Sequence, residues 1–260
     1  MAKKRSRATR IAEQQAATQR AAAVLAEQRK RERRRRNIVV AVVIVGVLAL
    51  MLGIGYAVQT SRDTTGQVAT SPAGVVDDFA VPRGDAGAPV TVTVYEDFMC
   101  PFCGQLETAS RSKLQPRIDA GDVRMEYRVV SFLDRASNGT EYSTRSMNAL
   151  GVVLDTSGEE VAGRFHDLLF EHQPEEGSDG LSDERLVDLA VEAGATRADV
   201  AQPIEQRKFE QWVVNATDAA SKAGVSSTPT VLVDGEIIEG ATIDDLVAQI
   251  EQRIEQGGAG

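Results

Sequence analysis

A pair of cysteines three positions apart is the feature that most constrains the fold of this chain. Cys100 and Cys103 are its only cysteines in 260 residues. The preceding run alternates Val and Thr and predicts a β-strand over 90–96, and residues 101–119 are predicted to form a helix. A Cys-x-x-Cys pair at such a strand-to-helix junction indicates thiol-disulfide chemistry.

The two cysteines are predicted to have different roles. Free backbone N–H groups and the helix macrodipole stabilise a negative charge at a helix N-terminus, and only the thiolate form of cysteine attacks a disulfide. Cys100 is therefore the expected exposed nucleophile. Cys103, one turn further into the helix, is the expected buried resolving thiol that opens or closes a mixed disulfide.

Other roles for the pair compete with catalysis. A structural zinc ion needs four ligands, and the only histidines, His166 and His172, lie in a later helical block where both are predicted on helix surfaces. An inert structural disulfide would close a loop of two residues, which restrains the unfolded chain very little. The sequence favours redox chemistry over a metal-handling module or a tethered binding protein, and it assigns no metal.

The N-terminal part of the chain predicts a membrane anchor. Residues 38–58 are 21 consecutive uncharged residues, which span about 30 Å as a helix. Residues 1–36 hold 13 Lys and Arg against 3 Glu, although the whole chain carries a net charge of -9. These positive charges predict a cytoplasmic segment 1–37, interpreted as a topology signal rather than a lipid or nucleic-acid contact. A polar linker, 59–74, would place the remainder outside the cytoplasm.

The folded part is predicted to cover residues 75–256. A second strand follows at about 122–131, and then a helical block extends from about 138 to 224. Asp234-Gly235 between two short apolar runs is typical of a β-hairpin, and a closing helix covers about 243–256. Trp212 lies on an apolar stripe and is expected in the core.

Two segments of this body resemble a known family. Residues 95–103 read Tyr-Glu-Asp-Phe-Met-Cys-Pro-Phe-Cys, and residues 224–235 read Gly-Val-Ser-Ser-Thr-Pro-Thr-Val-Leu-Val-Asp-Gly. The first is similar to the active-site segment, and the second to the cis-proline segment, of the DsbA-like thiol-disulfide oxidoreductases. The resemblance implies an α/β thioredoxin fold with an inserted helical domain, here in the place of residues 138–224.

The resemblance also implies site residues and partners. Pro101 and Phe102 would form the active-site dipeptide, and a cis peptide bond between Thr228 and Pro229 would face the substrate beside the cysteines. Exported cysteine-containing proteins would be the substrates, a DsbB-like or vitamin-K-epoxide-reductase-like membrane protein the redox partner, and no cofactor would be needed. The implied activity is that of an oxidase, with a reductase or isomerase, for example in cytochrome maturation, as the alternative.

Three residues around the pair bear on this interpretation. Phe102 stands where strong oxidases of the family often have His, and it cannot donate a hydrogen bond to a thiolate, so a less oxidising pair is expected. Glu96 and Asp97 are the nearest acids to the cysteines. They are candidates for a proton relay to Cys103, although solvated carboxylates are the more usual outcome at the end of a strand.

Overall fold

The central sheet is built on two strands that bury every second side chain. The computed structural model describes residues 69–257. Strands β2 (Val90–Glu96) and β3 (Val123–Val129) alternate buried and half-buried residues along their whole length. Side chains of a strand point to opposite faces in turn, and helices cover both faces here. Both strands agree with the sequence prediction within two residues at each end.

Five strands form one mixed sheet. Strands β1 (Val81–Arg83), β4 (Thr230–Val233) and β5 (Glu236–Ile238) complete the order β1-β3-β2-β4-β5. Only β2 and β3 pair in parallel, and helix α1 (Pro101–Asp119) forms the crossover between them. The predicted hairpin is confirmed: Asp234 and Gly235 both have positive φ, at 50° and 80°, as a two-residue turn requires.

The predicted helical insertion between β3 and β4 is confirmed. A 3-10 turn, Asp134–Ala136, is followed by five helices: α2 (Tyr142–Ser157), α3 (Glu159–Glu171), α4 (Asp183–Ala193), α5 (Arg197–Glu205) and α6 (Glu210–Lys222). Helix α7 (Ile243–Gly257) follows the hairpin and packs against α1. Helix α3 also packs against α1, and against β1, so one helix of the insertion lies directly beside the helix that begins at the cysteine pair.

Local signals in the sequence account for several boundaries and for the core. The Ser182 hydroxyl accepts a hydrogen bond from the Arg185 backbone N–H at 3.2 Å and begins α4, and Gly194, at φ 112°, ends it. Trp212 is buried, and its indole N–H donates to the Asp78 carbonyl at 2.9 Å. The prediction that this tryptophan belongs to the core is confirmed.

The predicted N-terminal segments lie outside the described residues. The basic segment 1–37, the uncharged run 38–58 and the first part of the linker 59–74 all precede residue 69. Between residues 69 and 257, no helix is both long and apolar enough to cross a membrane.

Candidate active site

Cys100 and Cys103 occupy the first turn of α1. Cys100 is the N-cap residue in an extended conformation, and Pro101 follows within the first turn, where its missing N–H costs no helical hydrogen bond. The backbone N–H groups of Cys103 and Gly104 both donate to the Cys100 carbonyl, at 3.1 and 3.3 Å. Both cysteines are free thiols in this structure. The pair therefore lies where unsatisfied backbone donors can stabilise a thiolate.

The surroundings of Cys100 lower its pKa to about 6. The hydrogen bond from the Cys103 thiol contributes most, and burial opposes it. The Thr228 hydroxyl and the backbone N–H groups of Cys103 and Phe102 lower the pKa further, because each donates to the charged sulfur. Cys100 is therefore largely a thiolate at neutral pH when the pair is reduced.

Cys103 has the opposite environment. Burial raises its pKa well above the ordinary value, and the hydrogen bond to Cys100 adds to the rise. The negative charges of the Cys100 thiolate and of Glu96 raise it further. Cys103 is thus a protonated thiol over the physiological pH range, and it needs a proton whenever its sulfur is released from a disulfide.

Cys100 is less exposed than its predicted role as an exposed nucleophile suggests. Only 4% of the residue is accessible, because the segment before β4 covers it. The Thr228 carbonyl lies 3.4 Å from the Cys100 sulfur, and the Thr228–Pro229 peptide bond is cis. The prediction of exposure is wrong in degree: the sulfur lies beneath the cis-proline segment and not on an open surface.

An open groove of about 990 Å³ runs beside the pair. The side chain of Phe102 is 60% exposed and lines it, together with Thr228 and Pro229. Its other wall comes from α1, from the end of α3 and from the segment that leads into α7. Phe102 and the cis-proline segment therefore both border space large enough for a polypeptide segment.

Asp97 is fully buried, so its expected solvated position is wrong. Its carboxylate accepts hydrogen bonds from the Met99 N–H at 2.9 Å, the Leu133 N–H at 2.9 Å and the Ser143 hydroxyl at 2.6 Å. Burial raises the pKa of Asp97 to about 7, and the three donors oppose that rise. These bonds connect the loop before Cys100 to the following strand end and to α2, which makes Asp97 a positioning residue.

Glu96 is also fully buried, against the expectation of solvation, because it pairs with a histidine that was predicted on a helix surface. His166 is 0% exposed, and its Nε2 lies 2.5 Å from the Glu96 Oε1. The ring of Tyr127 stacks on the imidazole at 3.9 Å, and Phe170 packs against its edge. His166 was placed wrongly, whereas His172 is exposed as predicted.

Glu107 completes a buried group of ionisable side chains below Cys103. It lies on α1 four residues after Cys103, and therefore on the same face of the helix. Its carboxylate, that of Glu96 and the imidazole of His166 offer atoms within 4.8 Å of one another. Burial raises the pKa of Glu107 to about 7, with a further contribution from the negative charge of Glu96.

The spacing of these three side chains would allow them to hold a cation. The sequence-based argument against a metal placed both histidines far from the cysteines, and that premise is wrong for His166. However, the charges of the cluster balance by pairing: Glu96 with His166, and Asp167 with Arg83. Glu107, at a pKa of about 7, is readily neutral. We therefore assign no metal to it.

Helix α3 supplies contacts to the active-site segment that the sequence analysis missed. Phe170 packs against Phe98 with ring centroids 5.0 Å apart. The Gln173 side-chain amide donates to the carbonyls of Phe98, at 3.1 Å, and of Cys100, at 2.8 Å. A Cβ atom at Gly104 would collide with Gln173, so the glycine permits this approach. The available signal was helical spacing, which puts residues 166 and 170 on one face of α3, whereas Gln173 lies two residues beyond the end of the helix.

The thiolate of Cys100 gives a prediction that tests this geometry. Absorbance of the reduced protein at 240 nm, which reports thiolate, is expected to rise with a midpoint near pH 6, against about 8.5 for an ordinary cysteine. Below that pH Cys100 is protonated, and Cys103 does not ionise in this range. The same titration of Cys100→Ser should show no rise between pH 5 and 8, and a wild-type midpoint above pH 8 would contradict the assignment.

Comparisons with known proteins agree with this architecture. The family model described as thioredoxin matches residues 78–252. Disulfide bond formation protein D of Bacillus subtilis is 25% identical over 175 residues, which cover 66% of this chain and 76% of that protein.

Two solved structures are similar over most of their length. The reduced form of the disulfide bond oxidoreductase DsbG from Mycobacterium tuberculosis is 32% identical, with a TM-score of 0.58 over 69% of this chain and 92% of that one. BdbD from Bacillus subtilis is 25% identical, with a TM-score of 0.61 over 74% of this chain and 98% of that one. Together with the family match over two-thirds of the sequence, these likenesses show that the chain belongs to the thioredoxin family and is a DsbA-like thiol-disulfide oxidoreductase.

Proposed function

We propose that this protein is an extracytoplasmic oxidase that introduces disulfides into exported proteins through Cys100 and Cys103. The observation that carries the proposal is the contrast within the pair. Cys100 is stabilised as a thiolate at the N-terminus of α1, and Cys103 is held as a buried thiol. Stabilising the thiolate favours the reduced form of the pair, which makes the disulfide form a stronger oxidant.

The reaction begins with the pair as a disulfide. A client thiolate attacks the Cys100 sulfur, a client–Cys100 bond forms, and the electron pair of the broken bond goes to Cys103, which takes up a proton. A second client thiolate then attacks the client sulfur of this mixed disulfide, and Cys100 leaves as a thiolate. Its pKa of about 6 makes Cys100 a good leaving group. The client gains a disulfide, and the enzyme keeps two electrons.

The groove beside the pair supports a polypeptide as the substrate. Thr228 and Pro229 line it together with Phe102, and all three are at least partly exposed. We assign to the backbone of Thr228 the pairing with an extended client, in the manner of strand addition. The apolar ring of Phe102 would contact the client or a redox partner, so these residues would select for unfolded, cysteine-containing chains.

The remaining parts of the proposal concern location and turnover. The uncharged run 38–58 would anchor the protein, with residues 1–37 in the cytoplasm, 59–74 as a linker and 75–256 as the catalytic body. A DsbB-like or vitamin-K-epoxide-reductase-like membrane protein would reoxidise the pair. The family likeness and the charge distribution of the sequence support these assignments. No nucleic-acid partner is proposed.

The reduction potential distinguishes an oxidase from a reductase. We expect a value between those of thioredoxin, about -270 mV, and DsbA, about -120 mV, because the Cys100 pKa of about 6 lies between their values of about 7 and about 3.5. Equilibration with glutathione followed by alkylation of free thiols measures it. A potential at or below about -270 mV would contradict the oxidase and favour a reductase.

Phe102 offers a matched test of the same proposal. Phe102→His should move the potential toward that of DsbA by about 30 to 60 mV, since a hydrogen bond to a charged group contributes about 1.5 to 3 kcal/mol. Phe102→Leu, which adds no donor, should leave the potential unchanged. Stoichiometric zinc binding by a reduced protein that exchanges no disulfides would instead favour the metal-handling alternative.

A further inference from the structure

A buried histidine from the inserted helices touches Glu96, a buried acid at the end of the strand that leads to the cysteines. His166 and Glu96 are both fully buried, and their facing atoms, Nε2 and Oε1, are 2.5 Å apart. The other carboxylate oxygen of Glu96 has no hydrogen-bond partner among the described residues, and neither has the second ring nitrogen of His166. Two buried groups thus share one short contact, and each keeps a polar atom without a hydrogen bond.

The pair belongs to the buried cluster on the Cys103 face of α1: Glu107, one turn after Cys103, offers an oxygen within 4.8 Å of Glu96 and His166. The negative charge of Glu96 raises the pKa of Cys103. On the far side, the free ring nitrogen of His166 is 3.7 Å from the Asp167 carboxylate, which forms an ion pair with Arg83 at 2.8 Å and is partly exposed. A pocket of about 10 Å³, the size of one water molecule, borders Glu107 and Asp167. Ionisable groups therefore extend from the buried side of Cys103 toward the partly exposed pair of Asp167 and Arg83.

Among the described residues, charged and titratable groups face His166 from five elements of the fold. Glu96 comes from β2, Glu107 and Arg111 from α1, Tyr127 from β3, Asp167 from α3 itself and Arg83 from β1. Burial alone lowers the pKa of His166, but the carboxylates of Glu96, Asp167 and Glu107 raise it overall. The histidine therefore carries a proton at neutral pH, held by Glu96.

We propose that His166 stores the proton that Cys103 takes up when its disulfide is opened, and that Glu96 passes it between them. The proposal rests on the proposed function and assigns to the helical insertion a part in proton transfer. His166 does not touch the reacting sulfur, so it is a positioning residue that acts through Glu96.

As the client–Cys100 bond forms, the bonding electron pair is left on the Cys103 sulfur as a buried negative charge. The proton shared by His166 and Glu96 moves through the Glu96 carboxyl group to this sulfur, which becomes a thiol. His166 is then neutral beside the Glu96 carboxylate. The imidazole then regains its second proton from the solvent on the side of Glu107 and Asp167, and Glu96 again faces a charged partner. No charge remains buried without a partner.

The test is the pH dependence of reduction of the oxidised, full-length protein in detergent by dithiothreitol. The rate constant per dithiothreitol thiolate should stay nearly level between pH 6 and 9 in the wild type. In His166→Gln, which keeps a donor for Glu96 but no transferable proton, it should fall by about 100-fold at pH 8, the size typical of general acid catalysis. It should also recover as the pH is lowered, because the solvent then supplies the proton.

Two controls separate this role from a structural one. His172→Gln removes the exposed histidine six residues later and should behave as the wild type. Glu96→Gln should give the same altered pH profile as His166→Gln, and the double variant no further loss, because both changes interrupt one path. A His166→Gln variant with a wild-type rate and pH profile would overturn the proposal, as would a loss that is equal at all pH values.

A measurement on the wild-type protein covers the case in which the variant does not fold. The chain has two histidines, so ¹⁵N spectra of the imidazoles can be assigned with His172→Gln. The buried ring should be protonated at pH 7 in the oxidised protein. A neutral ring would contradict the proposal while leaving disulfide exchange intact. A wild-type protein that is inert toward dithiothreitol would instead contradict the proposed function itself.

Discussion

Replacing Cys100 with serine is expected to reduce the rate of disulfide exchange with a client protein at least about 1,000-fold. The Cys100 sulfur is attacked by the client in the first step and leaves in the second, and its pKa of about 6 depends on donors positioned around that one atom. A serine hydroxyl is not ionised at neutral pH and forms no disulfide. The measurement is the oxidation of a reduced, unfolded client, followed by the recovery of the activity of that client.

The fold must remain intact for this result to be informative. Cys100 is buried, and serine is close to it in size, so Cys100→Ser should keep the circular dichroism and thermal midpoint of the wild type within a few degrees. Ser143→Ala is a useful comparison, because it removes a hydrogen bond to Asp97 from a similarly buried site and leaves both cysteines in place. Client oxidation by Cys100→Ser at more than a tenth of the wild-type rate would exclude Cys100 as the nucleophile.

Much of this fold could be predicted because its signals are local. Alternation in β2 and β3, the Asp234-Gly235 turn and the Ser182 cap each depend on a few neighbouring residues. The position of the cysteines at the start of α1 follows in the same way from the order of strand and helix. The pairing of β2 with β4 could be expected only through the family resemblance, because it joins segments more than 130 residues apart.

The electrostatic part of the site could not be predicted, because it depends on long-range contacts. An acid at the end of a strand is usually solvated, and Glu96 is buried only because His166, 70 residues later, pairs with it. Asp97 is buried because its three donors come from the loop, the next strand end and α2. One signal was present and not used: His166 lies between Phe165 and Leu169 on the apolar face of α3, where a surface residue is not expected.

These contacts also change how the helical insertion is interpreted. It was inferred as a structural element placed between the two halves of the fold. In the structure, α3 provides His166 to Glu96 and Phe170 to Phe98, and Gln173, two residues after the end of α3, donates to the carbonyl of Cys100. Three residues of this part of the insertion thus contact the active-site segment, so changes in the insertion can alter the redox properties of the cysteines without touching them.

Replacing Cys103 with alanine is expected to convert the protein into a trap. An intramolecular thiol in the correct position acts as if at an effective concentration of 10⁵ M or more, whereas external thiols are present at about 10⁻³ M. Without Cys103, a mixed disulfide on Cys100 should therefore persist at least about 1,000 times longer. Incubating the reduced variant with a client that contains a disulfide, and then separating the products without reducing agent, should show the client covalently bound to the protein.

The pH of this experiment follows from the environment of Cys100. The hydrogen bond from the Cys103 thiol is the largest contribution that lowers the Cys100 pKa, so Cys103→Ala should raise that pKa above 6. Trapping should be weak near pH 6 and increase toward pH 9, as more of Cys100 becomes a thiolate. The double variant Cys100→Ser/Cys103→Ala should trap nothing. If Cys103→Ala releases its client as fast as the wild-type protein, Cys103 is not the resolving thiol, and the division of roles within the pair is wrong.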